Sequence, residues 1–306
     1  MNLKSSLVLG ESGFIGSACR RVLKENSNIH LLGGRRVNLA DPQETIGYIT
    51  EMSPAVIINA AGKVAGIAGN IEFPADLMRS NIKVSTSVIV ACHEASIKHL
   101  IQFASACVYP INESGISNPV DIGSGPIEPT SASYATAKIC AMEMAQAHRK
   151  QYGYKWTTLI PSNLYGSGDW ESGSGGHVTA MLLERFATAK SEGSKSVTVW
   201  GDGKSQRNFL HVDDLASAVG YVIENNIWDE GVINICGEAE ITIAELAILV
   251  REVVGYRGEI IFDHTKPNGA RRKMLDDSYI RGLGWRPRID LYEGLKLYYE
   301  NYCERT

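Results

Sequence analysis

No apolar run in this 306-residue chain approaches the roughly 20 residues that a helix needs to cross a bilayer, so a helical membrane span is not expected. The first six residues lead straight into a strand pattern without a secretory apolar region, which makes the cytoplasm the expected compartment. Charge of one sign is also missing. Thirty Lys and Arg against 34 Asp and Glu leave a net charge of −4 and a pI near 6.0, so neither a nucleic-acid surface nor an anionic membrane is implied as a partner. The six cysteines, at 19, 92, 107, 140, 236 and 303, show neither CxxC nor metal-ligand spacing. Disulfides and a metal site are therefore not expected, and five of the six read as ordinary buried thiols. There is no internal repeat.

What the chain does have is alternation. Apolar strand patterns at 6–9, 29–32, 55–59, 99–103 and 157–160 alternate with helical patterns, of which those at 82–95 and 133–152 are the longest. That order predicts an α/β fold built on a doubly wound parallel sheet. A Gly/Ser-rich passage at 166–176 reads as a lobe boundary and loop. The expected division is a first lobe over 1–165, rejoined by a helix and strand within about 210–236, and a second, smaller α/β lobe over 166–306 that carries substrate.

The first strand runs into Gly10-Glu11-Ser12-Gly13-Phe14-Ile15-Gly16 and then a helix. Strand, glycine turn and helix in that order present backbone N–H groups to a dinucleotide pyrophosphate. After the second strand comes Gly33-Gly34-Arg35-Arg36, with no Asp or Glu to accept ribose hydroxyls. Arginines there favour a 2′-phosphate, hence NADP (NADPH) as cofactor, although both could be plain surface charges. Asp41, a little further on, is placed to cap a helix.

Two short segments carry reactive groups: Ser105-Ala106-Cys107-Val108-Tyr109-Pro110 after the fourth strand, and Tyr134-Ala135-Thr136-Ala137-Lys138. Residues four apart on a helix share a face, so the Lys138 ammonium is expected to lower the Tyr134 phenol toward a working acid or base. Ser105 falls beyond the carboxyl edge of the sheet, where ligands bind in such folds.

With the glycine turn, the Ser-x-Cys segment, the YxxxK pair and Pro161-Ser162-Asn163-Leu164-Tyr165-Gly166, the chain resembles the extended short-chain dehydrogenase/reductases, and in particular the GDP-L-fucose synthase family. The likeness continues through Gly176-His177-Val178, Val199-Trp200-Gly201 and Arg207 to Asp214. It implies C3/C5 epimerisation and C4 reduction of a GDP-4-keto-6-deoxy-sugar. Cys107 and His177 would be the proton-transfer pair, and Ser105, Tyr134 and Lys138 the reductive triad. The same resemblance sets Gly10, Ser12, Gly13, Phe14, Ile15, Gly16, Ala60, Ala61, Lys63, Pro161, Asn163, Leu164 and His177 around the dinucleotide. Asn163, Arg185, Trp200, Arg207 and Lys273 would face the nucleotide-sugar, with core packing an equal alternative for Trp200. A homodimer through the helices at 82–95 and 133–152 is implied as well.

Departures at Ala65, Ala106 and Ser162 are small. Those at Asn268, Ala270 and Arg271 leave the sugar, a hexose or heptose, and even the base open. A reductase or epimerase performing half of the cycle, and a non-catalytic NADP-binding sensor, remain as alternatives.

Overall fold

The computed structural model describes residues 4–112, 115–169, 177–238, 240–266 and 271–304. The 170–176 part of the Gly/Ser-rich passage and the departures at 268 and 270 lie outside the described residues. In chain order the first elements are β1 (Lys4–Leu9), α1 (Phe14–Lys24), β2 (Ile29–Leu31), α2 (Pro42–Met52), β3 (Val56–Asn59), α3 (Ile67–Glu72), α4 (Pro74–Glu94), β4 (His99–Phe103), β5 (Ile116–Ser117), α5 (Ala132–Tyr152), β6 (Lys155–Pro161) and β7 (Asn163–Tyr165). There follow α6 (Val178–Glu192), β8 (Ser196–Trp200), β9 (Gln206–His211), α7 (Val212–Glu224), β10 (Val232–Ile235), β11 (Glu240–Thr242), α8 (Ile243–Val254), β12 (Glu259–Asp263), β13 (Arg272–Leu275), α9 (Ser278–Gly282) and α10 (Leu291–Cys303).

Six strands form one parallel sheet in the order β10-β6-β4-β3-β1-β2. Its inner strands are apolar on both faces because both are covered. Val8, Val56, Ile58 and Ile101 pack with α1 and α7 on one side. Their neighbours Leu7, Leu9, Ile57 and Leu100 pack with α2, α4 and α5 on the other. This is the doubly wound Rossmann arrangement expected. From β1 the chain runs outward to β2 and then returns to β3 on the opposite side, so a crevice opens beyond the carboxyl ends of β1 and β3.

A second sheet, β11-β9-β13-β5 with β7 beside β9, and a β12-β8 pair gather the later residues. Phe186, Leu246, Val250, Leu295 and Tyr298 make a separate core there. Two of these strands, β5 and β7, come from within the range 1–165, so the chain enters the second sheet before the Gly/Ser-rich passage.

Local chemistry explains where the elements begin. Asp41 caps α2 by accepting from the Gln43 and Glu44 N–H groups at 2.9 and 3.0 Å, as its place in the sequence suggests. α4 starts eight residues ahead of the expected 82, because Pro74 takes the first helical position and Asp76 the first turn. Of the five cysteines other than Cys107, all expected to be buried, only Cys19, Cys92 and Cys236 are, since Cys140 and Cys303 are exposed on α5 and α10. Among the described residues no helix is long and apolar enough to cross a membrane.

Candidate active site

The turn after β1 closes on itself and on the segment after β3. Gly10 has φ +77°, and a Cβ there would stand 2.7 Å from the Ala61 nitrogen. At Gly16 a Cβ would lie 2.0 Å from the Gly10 carbonyl oxygen, so only glycine lets α1 start this close to the turn. Gly13 caps α1 without any side-chain hydrogen bond, and no acidic residue occupies the first turn. The leading N–H groups, from Phe14 and Ile15 onward, are thus left for an external anion, which fits a dinucleotide pyrophosphate. Ser12 is exposed beside them, while Ala60 packs on the core behind.

Lys63 is exposed, and its backbone is pinned by Asn81 of α4. Asn81 accepts from the Lys63 N–H at 3.2 Å and donates to its carbonyl at 2.8 Å. The two arginines after β2 part ways: Arg35 lies over the Tyr48 ring and pairs with Glu51 at 3.1 Å, and Arg36 is exposed. Both arginines stand exposed after β2, with Arg35 leaning on α2.

Beyond β4, Ser105 opens a single 3-10 turn, Ala106–Val108, and Cys107, Tyr134 and Ala135 share a small buried cluster with Ile127. Lys138, buried one helical turn after Tyr134, donates to the Phe103 carbonyl at 3.2 Å, at the tip of β4. Its Nζ stands 5.8 Å from the Tyr134 ring centroid. The sequence thus puts hydroxyl, thiol, phenol and ammonium together as expected, but the electrostatics differ. Burial pushes the Tyr134 phenol up, and Cys107 adds to the rise. Burial also takes Lys138 down, to about 8. The expected lowering of the phenol by Lys138 is corrected: burial and Cys107 both raise it, and Tyr134 stays a protonated donor at neutral pH. Burial likewise raises the Cys107 thiol, against the Ser105 hydrogen bond and the charges of Lys273 and Lys138.

His177 occupies the N-cap of α6, 6.3 Å from the Phe14 ring. Its Nδ1 bonds Oδ1 of Asp169, a carboxylate with no accessible surface. Burial alone would lower the imidazole, but the Asp169 hydrogen bond and charge reverse this, and the net shift is upward. Among the described residues no hydrogen bond joins His177 to Cys107 or Tyr134. Sequence reading passed over Asp169 as one residue of a loop, and Asn81 falls just ahead of the helix expected from 82.

The remaining candidates form two groups. Arg207 and Lys273 pair in register on β9 and β13, and Glu128 bonds Lys273 at 3.1 Å. Burial works against the Glu128 carboxylate, yet Lys273, Thr130 and Arg207 bring it down. Burial lowers Arg207, with Glu128 opposing. Trp200 is exposed, not core, and carries Arg185 and Lys266 over its ring at 5.5 and 5.6 Å. Pro161 ends β6, and Asn163 and Leu164 open β7, which crosses from the first sheet to the second.

Residues 6–236 match the model of the NAD dependent epimerase/dehydratase family. GDP-L-fucose synthase 1 of Arabidopsis thaliana is 38% identical over 98% of this chain and 93% of its own, and the Escherichia coli GDP-L-fucose synthase is 34% identical over 99% and 98%. The chain belongs to the GDP-L-fucose synthase family. Among solved structures, a GDP-mannoheptose C4 reductase from Campylobacter jejuni with NADP bound superposes with a TM-score of 0.86 at 29% identity, covering 99% of both chains. Membership in this family makes the chain an enzyme, an oxidoreductase and epimerase by class.

Proposed function

We propose that the protein is an NADPH-dependent GDP-sugar epimerase/reductase, acting on GDP-4-keto-6-deoxymannose or a close relative by inversion at C3 and C5 and reduction at C4. The observation that carries this reading is the packing of Cys107 against Tyr134. A reductase needs the phenol; a thiol beside it gives the same pocket a second proton-transfer group.

A 4-keto group makes the C3 and C5 hydrogens acidic, and inversion needs a base and an acid on opposite faces. Cys107 takes the first role and His177, oriented by Asp169, the second. A carboxylate can only accept, so Asp169 holds the proton on Nδ1 and leaves Nε2 to exchange with substrate. NADPH, when bound, supplies the hydride for C4. Tyr134, kept protonated by burial, donates to O4, and Ser105 hydrogen-bonds that oxygen. Lys138 holds the nicotinamide ribose, while the first turn of α1 receives the pyrophosphate. Arg207, Lys273, Arg185 and Trp200 serve the nucleotide-sugar through charge and a stacking face. In this reading the large sheet with α1–α5, α7 and β10 is the cofactor domain and the second sheet the substrate domain. Cytoplasmic location and a homodimer through α4 and α5 belong to it too, the latter checked by sedimentation.

The deciding experiment is incubation with GDP-4-keto-6-deoxymannose and NADPH in deuterated buffer. Deuterium at C3 and C5 marks epimerisation, and NADPH consumption marks reduction; absence of deuterium from every keto-sugar tested would remove the epimerase half. A second reading, 4-reductase alone, draws on one observation: burial holds the Cys107 thiol above its ordinary value, which disfavours the thiolate that a base requires.

A further inference from the structure

Glu11, the residue after Gly10, reaches a place that the sequence left without an acid. Its carboxylate lies against Gly34, just past β2: a Cβ at Gly34 would stand 2.6 Å from Oε2 and 2.7 Å from Oε1. In a sheet of this kind, the end of the second strand is where a carboxylate accepts the ribose hydroxyls of an unphosphorylated dinucleotide. Here the carboxylate arrives from the first turn instead. Oε2 is buried 3.1 Å from Arg20, so the capacity left for an incoming donor is that of Oε1, on a side chain that is 35% exposed. Arg20 in turn donates to the Leu32 carbonyl at 3.0 Å, which fixes it at the same strand end. The cations lining the same pocket as Glu11 are Arg20, which pairs with it, Arg21, which pairs with Asp213, and Lys24, while Arg35 leans on Glu51 and Arg36 is exposed.

We propose that Glu11 is a specificity-determining residue for the adenosine ribose of the dinucleotide. It accepts a 2′-hydroxyl and opposes a 2′-phosphate, so that the chain takes both phosphorylated and unphosphorylated dinucleotides with only a narrow preference for the former. The inference rests on the dinucleotide reading above, and it reverses what the absence of an acid after β2 suggests. A carboxylate within several ångströms of a phosphate in a half-exposed crevice changes relative affinity by about tenfold or more.

The test is direct binding, free of turnover: calorimetric titration of the full chain with adenosine 2′,5′-bisphosphate and with adenosine 5′-monophosphate. The wild-type protein is expected to favour the bisphosphate by no more than about tenfold, and Glu11→Gln to widen that ratio by at least about tenfold. Glu11→Asp, which keeps the charge, should stay near the wild-type ratio. A wild-type preference beyond about a thousandfold would overturn the inference, as would a Glu11→Gln ratio within about twofold of wild type. So would an Asp variant that shifts as far as Gln, because the effect would then belong to local packing. If neither probe binds, the dinucleotide reading falls as well; if both bind and only the ratio fails, that reading stands and the role of Glu11 does not.

Discussion

Asp169→Asn isolates the His177 arm of the proposed site with almost no change of shape. Asp169 has no accessible surface and bonds the His177 Nδ1, while 34% of the His177 side-chain surface remains open. Asparagine can turn an N–H toward Nδ1, and the ring would then hold its only proton on Nε2 as a neutral imidazole, a far weaker acid than the imidazolium that Asp169 favours. The charge that favours the imidazolium is lost as well. A positioned acid or base contributes about 10²–10⁴-fold, so proton exchange at the centre served by His177 should fall by about a hundredfold or more. Hydride transfer to a substrate that needs no epimerisation should stay within about threefold of wild type, because Tyr134 and Lys138 are untouched.

The assay is nuclear magnetic resonance of deuterium entering the sugar, run beside NADPH absorbance across pH. Since Asp169 raises the His177 pKa, the limb in which His177 acts as an acid should move to lower pH in the variant. Stability has the same sign. The folded-state pKa lies above the unfolded value of about 6.5, so this pair's contribution is fully present below that value and is lost as pH rises through the folded pKa. The melting temperature of Asp169→Asn should therefore trail wild type most at acidic pH and least at alkaline pH. Exchange within about threefold of wild type, with an unmoved pH profile, would refute the assignment of Asp169 as the orienting partner.

Tyr134→Phe should abolish hydride transfer and leave deuterium exchange, whereas Cys107→Ser should do the reverse; equal loss of both in folded Cys107→Ser would refute the division between thiol and phenol. Gly16→Ala forces a Cβ to within 2.0 Å of the Gly10 carbonyl oxygen, so NADPH affinity measured by titration should drop more than about tenfold in protein that keeps its far-ultraviolet dichroism. In the second core Phe186 is fully buried, and Phe186→Ala should cost about 3–5 kcal/mol in denaturant unfolding; a cost below about 1 kcal/mol would mean that this core does not unfold with the rest.

Elements fixed by backbone demands were the most legible. β1, the glycine turn and α1 follow from a buried run, an αL glycine and a close approach, each of which restricts residue type at its own position. α7 and β10 fall on the expected residues for a similar reason, an apolar pattern between clear stops. Contacts across the fold left no such mark. Asp169 meets His177 from within the Gly/Ser-rich passage, and Glu11 meets Gly34 from another strand's turn, so neither pairing has a helical or strand spacing to reveal it.

The YxxxK pair lies between these cases. Its spacing gave the right geometry, because one helical turn is a local property, but the sign of the effect on the phenol depends on how deeply β4 and α5 bury it. That sign has a chemical consequence for the proposed reaction. A phenol that burial keeps protonated has its proton in place when charge develops on the carbonyl oxygen, so the ligand-free site is set for reduction. The reverse oxidation would first require the phenolate, which burial opposes and which an added cation, such as an oxidised nicotinamide held beside Lys138, would favour.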